Sequence, residues 1–280
     1  MASAALQSES FYTDGRQLET IRTELKGPVA VVTLARSEVH NAFNAKMIQE
    51  LSDFFHTVSQ DERVRAVVLQ SDGQSFSAGA DLNWMKSMVD YTFEENVKDS
   101  TLLAEMIQAI RYCKKPTLAR VQGHAFGGGV GLIAACDLVV AVEDAQFSFS
   151  EAKLGLIPSV ISPVVLEKIP PALAKGLFIT AERFDAKRAK AIGLLTDVVP
   201  DASYLDTWLT ERMNWMLKNA PGAVEDCKAL VDAVVNASPD DAKGLTCEFI
   251  AKRRVSDEGQ EGMAAFLEKR PPSWHTKIES

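Results

Sequence analysis

Short apolar runs alternate with longer stretches of helical spacing up to about residue 200. Mostly apolar runs cover 29–34, 65–70, 116–121 and 138–142, which predicts buried strands there. Apolar residues recur every three or four positions through 44–59 and 92–112, and a short apolar stretch fills 129–136, which predicts three helices. Strands that alternate with helices predict an α/β architecture with right-handed crossovers.

The two longer helices have predicted inward faces. Asn44 is the predicted N-cap of the first, because its short amide side chain can accept from a free backbone N–H. The inward residues are predicted to be Met47, Ile48, Leu51, Phe54, Phe55 and Val58 in the first helix, and Leu102, Leu103, Met106, Ile107 and Ile110 in the second.

The pattern changes after Pro200, where strand signals stop. Helices are predicted over 203–219, 221–236, 240–255 and 258–269, and Pro271-Pro272 ends the last of them. Residues 1–20 are polar, carry several acids and have no apolar core of a signal peptide. We therefore expect a loose N-terminal arm over 1–20, an α/β core over 21–200 and a C-terminal helical module over 201–280.

Composition narrows the class of protein. The chain has 280 residues, of which 46% are hydrophobic and 24% charged, as in a soluble globular protein. The net charge of −8 argues against nucleic acid as a partner, and no apolar run is long enough to predict a membrane span. The cysteines form no CxxC pair and the histidines show no ligand spacing, so neither a metal site nor a disulfide framework is predicted. We expect reduced thiols in a cytoplasmic protein.

Two glycine-containing turns carry the candidate chemistry. The segment Phe76-Ser77-Ala78-Gly79-Ala80-Asp81 follows one predicted strand, and Gly123-His124-Ala125-Phe126-Gly127-Gly128-Gly129 follows another. Each turn could aim one backbone N–H at a common point, and two such donors stabilise negative charge on a thioester or ester carbonyl oxygen. A single acid, Glu151, follows soon after. The combination predicts chemistry on an activated acyl group.

Each of these features also has a purely structural interpretation. The glycine triplet could be a tight strand-to-helix turn, although a dinucleotide loop is excluded because its spacing is not GxGxxG. Asp81 could be a helix N-cap. Glu151 could be a surface carboxylate paired with Lys153, although the apolar residues 154–158 favour a carboxylate with a raised pKa that is suited to proton transfer.

Several motifs in order resemble the crotonase superfamily, the enoyl-CoA hydratase/isomerase fold, over about residues 20–272. Besides the two turns, they are Arg36-Ser37-Glu38-Val39-His40-Asn41-Ala42-Phe43, Ala135-Cys136-Asp137, Glu151 with Leu154-Gly155-Leu156-Ile157-Pro158, Glu258-Gly259-Gln260-Glu261-Gly262 and Phe266-Leu267-Glu268-Lys269-Arg270-Pro271-Pro272. The resemblance implies a ββα spiral with a C-terminal trimerisation module. It also implies an acyl-CoA substrate, no further cofactor, and a homotrimer or homohexamer built as a dimer of trimers.

The resemblance also assigns roles to residues. The oxyanion donors would be the N–H groups of Ala80 and Gly128, and Glu151 would be the catalytic carboxylate. Substrate contacts are implied for Glu38, Val39, His40, Ala42, Ala78, Asp81, Leu82, Trp84, Phe126, Gly131 and Lys269. Among these, Lys269 or its neighbour Arg270 would meet the CoA phosphates from the same or another subunit. We further expect the apolar faces of the C-terminal module, such as Leu205, Trp208, Leu209, Met213 and Met216, to serve the contacts between subunits.

One position departs from the usual pattern. Typical hydratases of this superfamily carry two glutamates, and Gly131 stands where the first would be. We interpret this glycine as leaving space for a second water or a branched acyl group, and the alternative is a packing glycine on a crowded helix. With Phe126, the Trp84-Met85 pair and residues 158–163, this departure resembles the 3-methylglutaconyl-CoA hydratases of leucine and isovalerate breakdown. These enzymes reversibly form 3-hydroxy-3-methylglutaryl-CoA.

Three points stay open on the sequence. An enoyl-CoA isomerase would need only one glutamate, because one carboxylate suffices to move a proton. A non-catalytic acyl-CoA-binding protein of the same fold would need none, and the retained Glu151 argues against it. The distal carboxylate of the substrate could meet Lys86, His124 or Lys153.

Overall fold

A computed structural model describes residues 18–278, and within that range it has ten strands and eleven α-helices. The strands are β1 (Ile21–Lys26), β2 (Val29–Leu34), β3 (Ala66–Ser71), β4 (Ser75–Ser77), β5 (Thr117–Val121), β6 (His124–Phe126), β7 (Leu138–Val142), β8 (Gln146–Ser148), β9 (Phe184–Asp185) and β10 (Asp197–Val199). The helices are α1 (Ala45–Gln60), α2 (Leu82–Ser87), α3 (Phe93–Arg111), α4 (Gly128–Ala134), α5 (Ser162–Lys168), α6 (Pro171–Thr180), α7 (Ala186–Ala191), α8 (Ala202–Met216), α9 (Pro221–Val235), α10 (Pro239–Val255) and α11 (Asp257–Leu267). Most of the predicted arm, residues 1–17, lies outside the described residues.

The strands form two sheets. The large sheet has the order β1-β2-β3-β5-β7-β10 and is parallel except for β1, while the small sheet has the order β4-β6-β8-β9 and is parallel except for β9. Each of β3, β5 and β7 runs directly into a strand of the small sheet, and helices then lead to the next turn. This repeated ββα unit confirms the α/β spiral. It also places the ends of β4 and β6 side by side.

Apolar burial fixes the elements much as their patterns predict. Asn44 caps α1, since its Oδ1 accepts from the Met47 N–H at 3.0 Å, and all six residues of the predicted inward face of α1 are buried. In α3 the side chains of Met106, Ile107 and Ile110 are buried. The prediction for Leu102 is wrong, because it is 43% exposed at the edge of a polar cleft between α1 and α3.

Helix α8 lies against the large sheet of its own subunit. Helix α8 contacts β5, β7 and β10. Four of its side chains are buried in the core, namely Leu205, Trp208, Leu209 and Met213, and Met216 is partly buried there. The expectation that these residues serve contacts between subunits is therefore wrong. The predicted change of pattern near residue 200 does fall between the last strand, β10, and α8.

The last three helices attach to the rest of the subunit differently. Helices α9 and α10 contain no buried residue, and α11 contains only Ala265, within the part of the chain that is described. Ion pairs tie α9 to the core, namely Lys115–Glu225, Arg111–Asp232 and Lys228–Asp137. None of the helices within residues 18–278 combines the length and hydropathy that a transmembrane span requires.

Candidate active site

The first turn of the site begins after β4 and depends on a glycine. Gly79 has φ +88°, a conformation that favours glycine. A Cβ at Gly79 would lie 2.9 Å from the carbonyl oxygen of Phe126 and 3.4 Å from the backbone nitrogen of Gly128. The first turn therefore packs directly against the backbone of the second, which brings Ala80 close to Gly128.

Hydrogen bonds on either side of Ala80 determine where its own N–H points. Phe43 N donates to the oxygen of Gly79 at 2.8 Å, and Asp81 N donates to the oxygen of Phe43 at 3.0 Å. These bonds form a parallel bridge between Phe43 and Ala80. In such a bridge the N–H of the central residue points to the opposite side. The Ala80 N–H accordingly points away from Phe43, and it has no acceptor among residues 18–278.

The second turn needs each of its three glycines for a different neighbour. A Cβ at Gly127 would lie 3.2 Å from Glu151 Oε1, one at Gly128 would lie 2.3 Å from the Phe43 ring, and one at Gly129 would lie 2.6 Å from the oxygen of Ser77. The triplet is therefore a tight turn as well as a candidate donor site. The Gly128 N–H begins α4, and no described residue provides an acceptor for it.

Glu151 lies beside these donors, in a short 3-10 helix over Ser150–Leu154. Its Oε2 is buried and has no hydrogen-bond partner in the described part of the chain. Burial raises the pKa of Glu151. The alternative that it pairs with Lys153 at the surface is wrong, because Oε2 of Glu151 is buried without a hydrogen-bond partner while Lys153 is exposed. A buried carboxylate with an unused oxygen is suited to holding a water or moving a proton.

The carboxylate of Asp81 holds the first turn in place. Its Oδ1 accepts from the N–H groups of Asn83 and Trp84 at 2.7 and 3.2 Å, and its Oδ2 accepts from Arg36 at 2.9 Å. Burial acts to raise the pKa of Asp81, but the Arg36 and backbone hydrogen bonds outweigh it and lower the pKa. The N-cap interpretation is therefore confirmed. Arg36 also donates to the oxygen of Ala42 at 2.5 Å, a positioning role that sequence reasoning missed.

The space expected at Gly131 is already filled. A Cβ at this position would lie 2.2 Å from Cγ2 of Ile161 and 3.6 Å from Cδ1 of Ile107. The interpretation that Gly131 leaves open space for a water or an acyl branch is therefore wrong, and the alternative of a packing glycine on a crowded helix is confirmed. Ile161 was missed because it lies thirty residues further along the chain and no local pattern couples the two.

The large apolar residues predicted to line the site differ in how far they are buried. Trp84 is buried, its ring centroid lies 5.9 Å from that of Phe43, and its Nε1 donates to Asp99 at 3.2 Å. Phe126 is half-buried between the His124 ring at 5.9 Å and the Arg183 guanidinium at 5.0 Å. Leu82 is 73% exposed at the start of α2. Trp84 thus supports Phe43, while Leu82 and Phe126 remain accessible.

The remaining predicted contacts with CoA form an edge that leads to the first turn. Glu38, Val39 and His40 are exposed on and just after a 3-10 helix at Ser37–Val39, and the oxygen of His40 accepts from the N–H of Ala78 at 2.9 Å. Ala42 follows and is buried. Of the three candidates for the distal carboxylate, Lys86 and Lys153 are exposed, while Nδ1 of His124 accepts from the N–H of Gln146 at 3.1 Å.

The structure does not bring Lys269 to this group. The last helices are anchored beside Arg65, Lys115 and Asp137, which immediately precede or lie near the amino ends of β3, β5 and β7. The two turns instead follow β4 and β6, which come after the carboxyl ends of β3 and β5. Lys269 therefore belongs to the opposite end of the subunit. Its neighbour Arg270 is already paired with Glu261 and Glu268.

Two of the four cysteines are buried in the core. Burial raises the pKa of Cys136 to about 12, and Cys113 is also buried. Among the described side chains, no three His, Cys, Asp or Glu residues gather closely enough to hold a metal ion.

Comparisons with known proteins agree with this geometry. The sequence model of the enoyl-CoA hydratase/isomerase family matches residues 24–277. A short-chain-enoyl-CoA hydratase from Clostridium acetobutylicum is 31% identical over 91% of this chain and 97% of its own length. The crystal structure of an enoyl-CoA hydratase from Shewanella pealeana is 39% identical, covers 92% of this chain and 97% of its own, and superposes with a TM-score of 0.89. An enoyl-CoA hydratase structure from Mycobacterium smegmatis is 31% identical, covers 92% of this chain and 100% of its own, and has a TM-score of 0.87.

Proposed function

The chain belongs to the enoyl-CoA hydratase/isomerase family, and from that premise we propose that it hydrates 3-methylglutaconyl-CoA to 3-hydroxy-3-methylglutaryl-CoA in leucine and isovalerate breakdown. The observation that carries the proposal is the meeting of two unbonded N–H groups, on Ala80 and Gly128, beside the Glu151 carboxylate, whose buried Oε2 has no hydrogen-bond partner among the described residues.

The two N–H groups would act on the thioester oxygen. Water addition at C3 of the enoyl group pushes electrons toward that oxygen, and the resulting enolate carries its negative charge there. The Ala80 and Gly128 donors would stabilise this charge without rearranging, since the contacts of Gly79 with the second turn fix them. The loss of one such donor typically raises the barrier by about 3 kcal/mol.

Glu151 would carry out both proton transfers. Ionised, it takes a proton from the attacking water as the oxygen bonds to C3, and it then returns a proton to C2. Its raised pKa makes the carboxylate a stronger base toward the attacking water than an exposed carboxylate would be. The reaction consumes only water and the CoA thioester, and it needs no further cofactor.

A branched substrate suits a site with one acid. In 3-methylglutaconyl-CoA the carbon that water attacks carries a methyl group, so it tolerates more positive charge in the transition state. Such a carbon needs less activation of the water than an unbranched one. A linear short-chain enoyl-CoA is the competing substrate, because it is the class named for the Clostridium relative.

The experiment compares hydration of 3-methylglutaconyl-CoA and crotonyl-CoA by the loss of absorbance of the conjugated thioester. We expect higher kcat/KM for the branched substrate, and higher kcat/KM for crotonyl-CoA would reject the proposed substrate. A shift of the double bond without hydration would instead indicate an isomerase. Binding of both thioesters without turnover of either would indicate a non-catalytic acyl-CoA-binding protein.

The C-terminal helices support a proposal about assembly. Their exposed apolar side chains include Val231, Val235, Val255, Phe266 and Leu267. We propose that these residues, rather than those of α8, form the contacts of a homotrimer or a dimer of trimers, and that Lys269 meets CoA bound to another subunit. Closed symmetry would cover the apolar surface on every copy. Light scattering that gives a monomer mass at micromolar concentration would contradict this proposal.

A further inference from the structure

We propose that Ile161 determines the specificity of this site by filling the position of the missing second acid and forming an apolar wall for the 3-methyl group. This proposal rests on the proposed hydratase function. It concerns the preference for a branched over an unbranched C3, which can be measured independently of the identity of the natural substrate.

The start of α4 connects Ile161 with Glu151. Gly127 is the N-cap of α4, and Gly131 lies within the first turn of that helix. The neighbour at Gly127 is the Glu151 carboxylate, and the neighbour at Gly131 is the Ile161 side chain. One short segment of the chain therefore contacts both the proposed proton carrier and an apolar side chain.

A side chain at position 131 and the side chain of Ile161 would occupy the same space. A Cβ at position 131 would lie 2.2 Å from Cγ2 and 2.8 Å from Cβ of Ile161, far inside van der Waals distance. Ile161 is only 3% exposed, so its side chain has little freedom to move aside. The chain can therefore accommodate Ile161 or a second carboxylate here, but not both.

This exclusion has a consequence for the substrate. The Ile161 side chain provides an apolar surface that can contact a methyl group, but it has no polar atom that could orient a water molecule. A substrate without the 3-methyl group loses that contact, and one methyl or methylene in an apolar pocket changes kcat/KM by about 10-fold or more. Removing the Ile161 side chain should reduce the preference for the branched substrate. Adding an acid in the vacated space should favour the unbranched one.

The test uses 3-methylcrotonyl-CoA and crotonyl-CoA, which differ only in the 3-methyl group. Wild type is compared with Ile161→Val, Ile161→Gly, Gly131→Glu and the double variant Gly131→Glu/Ile161→Gly. Glycine is acceptable at position 161 because Ile161 is the N-cap of α5, where glycine is tolerated. Ile169→Val, which shortens a buried isoleucine at the other end of α5, is the matched control for Ile161→Val.

We expect the branched-to-linear ratio of kcat/KM to fall about 10-fold or more in Ile161→Gly and less in Ile161→Val, with no change in Ile169→Val. Gly131→Glu alone should lose stability, and the double variant should recover much of the lost Tm. The double variant should also gain activity on crotonyl-CoA, whereas Gly131→Gln/Ile161→Gly, which has the same shape without the charge, should not.

Two results would overturn the proposal. One is a folded Ile161→Gly protein with the wild-type ratio. The other is a Gly131→Glu protein that is as stable as the double variant, since the two residues would then not compete for one space. Failure of wild type to hydrate 3-methylglutaconyl-CoA would reject only the proposed substrate, because the ratio for the two crotonyl substrates would still report on Ile161.

Discussion

The two glycine turns and the C-terminal helices are held to the subunit by opposite means. At the turns, backbone lies against backbone so closely that Gly79 and Gly129 have no space for a side chain. The helices α9 and α10 bury no residue within the subunit, and ion pairs such as Lys228 with Asp137 and Arg111 with Asp232 connect α9 to the core.

The difference suits the role that we propose for each region. Donors for an oxyanion are effective only if they do not rearrange during the reaction, and close packing provides that rigidity. A surface that contacts other subunits needs exposed apolar groups, so it cannot use them to hold itself to its own core. Ion pairs hold α9 in place while its other face stays apolar. Substitutions at the turns should therefore mainly lower kcat, whereas substitutions in the C-terminal helices should cause smaller changes, mainly in stability.

The largest effect is expected at the centre of the site. Glu151→Gln keeps the shape of the side chain but removes its charge, so the fold and CoA binding should be retained while kcat falls about 10³-fold. Steady-state hydration kinetics measure the loss. Glu143→Gln changes an exposed carboxylate of the same spiral turn and is the control that should leave kcat unchanged. A Glu151→Gln enzyme with kcat near that of wild type would exclude Glu151 as the proton carrier.

The next effect concerns Asp81, which acts by positioning Ala80. Asp81→Ala removes the cap of α2 and leaves Arg36 without its partner, so we expect a loss of about 2–4 kcal/mol in the free energy of unfolding. Because the donor turn loosens, kcat should fall by a larger factor than KM rises. Urea denaturation and kinetics measure both.

Asp201→Ala is the matched control for that variant. Asp201 also caps a helix, α8, by accepting from the N–H of Ser203 at 2.8 Å, but it is exposed and lies outside the site. Its loss should cost about 1 kcal/mol and leave kcat unchanged. Asp81→Asn preserves capping and should recover part of the stability. Equal kinetic effects of the two alanine variants would argue against a positioning role for Asp81.

A smaller effect is expected where charge holds the module. Lys228 donates to the oxygens of Cys113 and Lys115 and to Asp137 Oδ2, at 2.7, 3.0 and 2.6 Å. Lys228→Met should cost about 2 kcal/mol and increase hydrogen exchange in α9 while the glycine turns stay protected. Lys252→Met removes the exposed pair with Glu248 and should change stability by less than about 0.5 kcal/mol. Increased exchange at the turns would show that the two regions are not independent.

Sequence patterns predicted the elements best where one chain segment supplies all the information. The cap at Asn44, the inward face of α1 and the strands β2, β3, β5 and β7 are local, and the structure has them as predicted, whereas the outer strands β1 and β10 of the same sheet were not predicted. The two turns were also identifiable, because glycine clusters after strands are local signals with a physical cause. The resemblance to a family supplied the roles of the residues, which no local pattern contains.

The errors arose where two distant segments meet. The space at Gly131 depends on Ile161, and the direction of the apolar face of α8 depends on where the large sheet lies. An apolar helix face shows that something covers it, but not whether that is the same subunit or another. Arg36 was missed for the same reason, because its partner Asp81 lies 45 residues away.

The smallest expected effect is on the pH dependence of Tm, which should differ in sign between the site and the C-terminal helices. The pKa of Glu151 is raised in the folded protein by burial, so the folded state holds a proton that the unfolded state releases at the same pH. Its contribution to stability is therefore fully present below the unfolded pKa and is lost as pH rises through the folded one. Glu151→Gln cannot ionise, so its Tm should exceed that of wild type by a margin that grows with pH over this window and then stays constant.

The pKa of Glu261 in the C-terminal helices is instead lowered to about 2, with its hydrogen bond from Arg270 as the largest cause. Glu261→Gln should instead lower Tm relative to wild type. This deficit grows as pH rises from the folded toward the unfolded pKa of Glu261 and is constant above the unfolded pKa, and it should be small because this pair is at the surface. Scanning fluorimetry from pH 4 to pH 8 compares the two variants with wild type, and a margin for Glu151→Gln that shrinks as pH rises would contradict the assignment of Glu151 as a buried, unpartnered carboxylate.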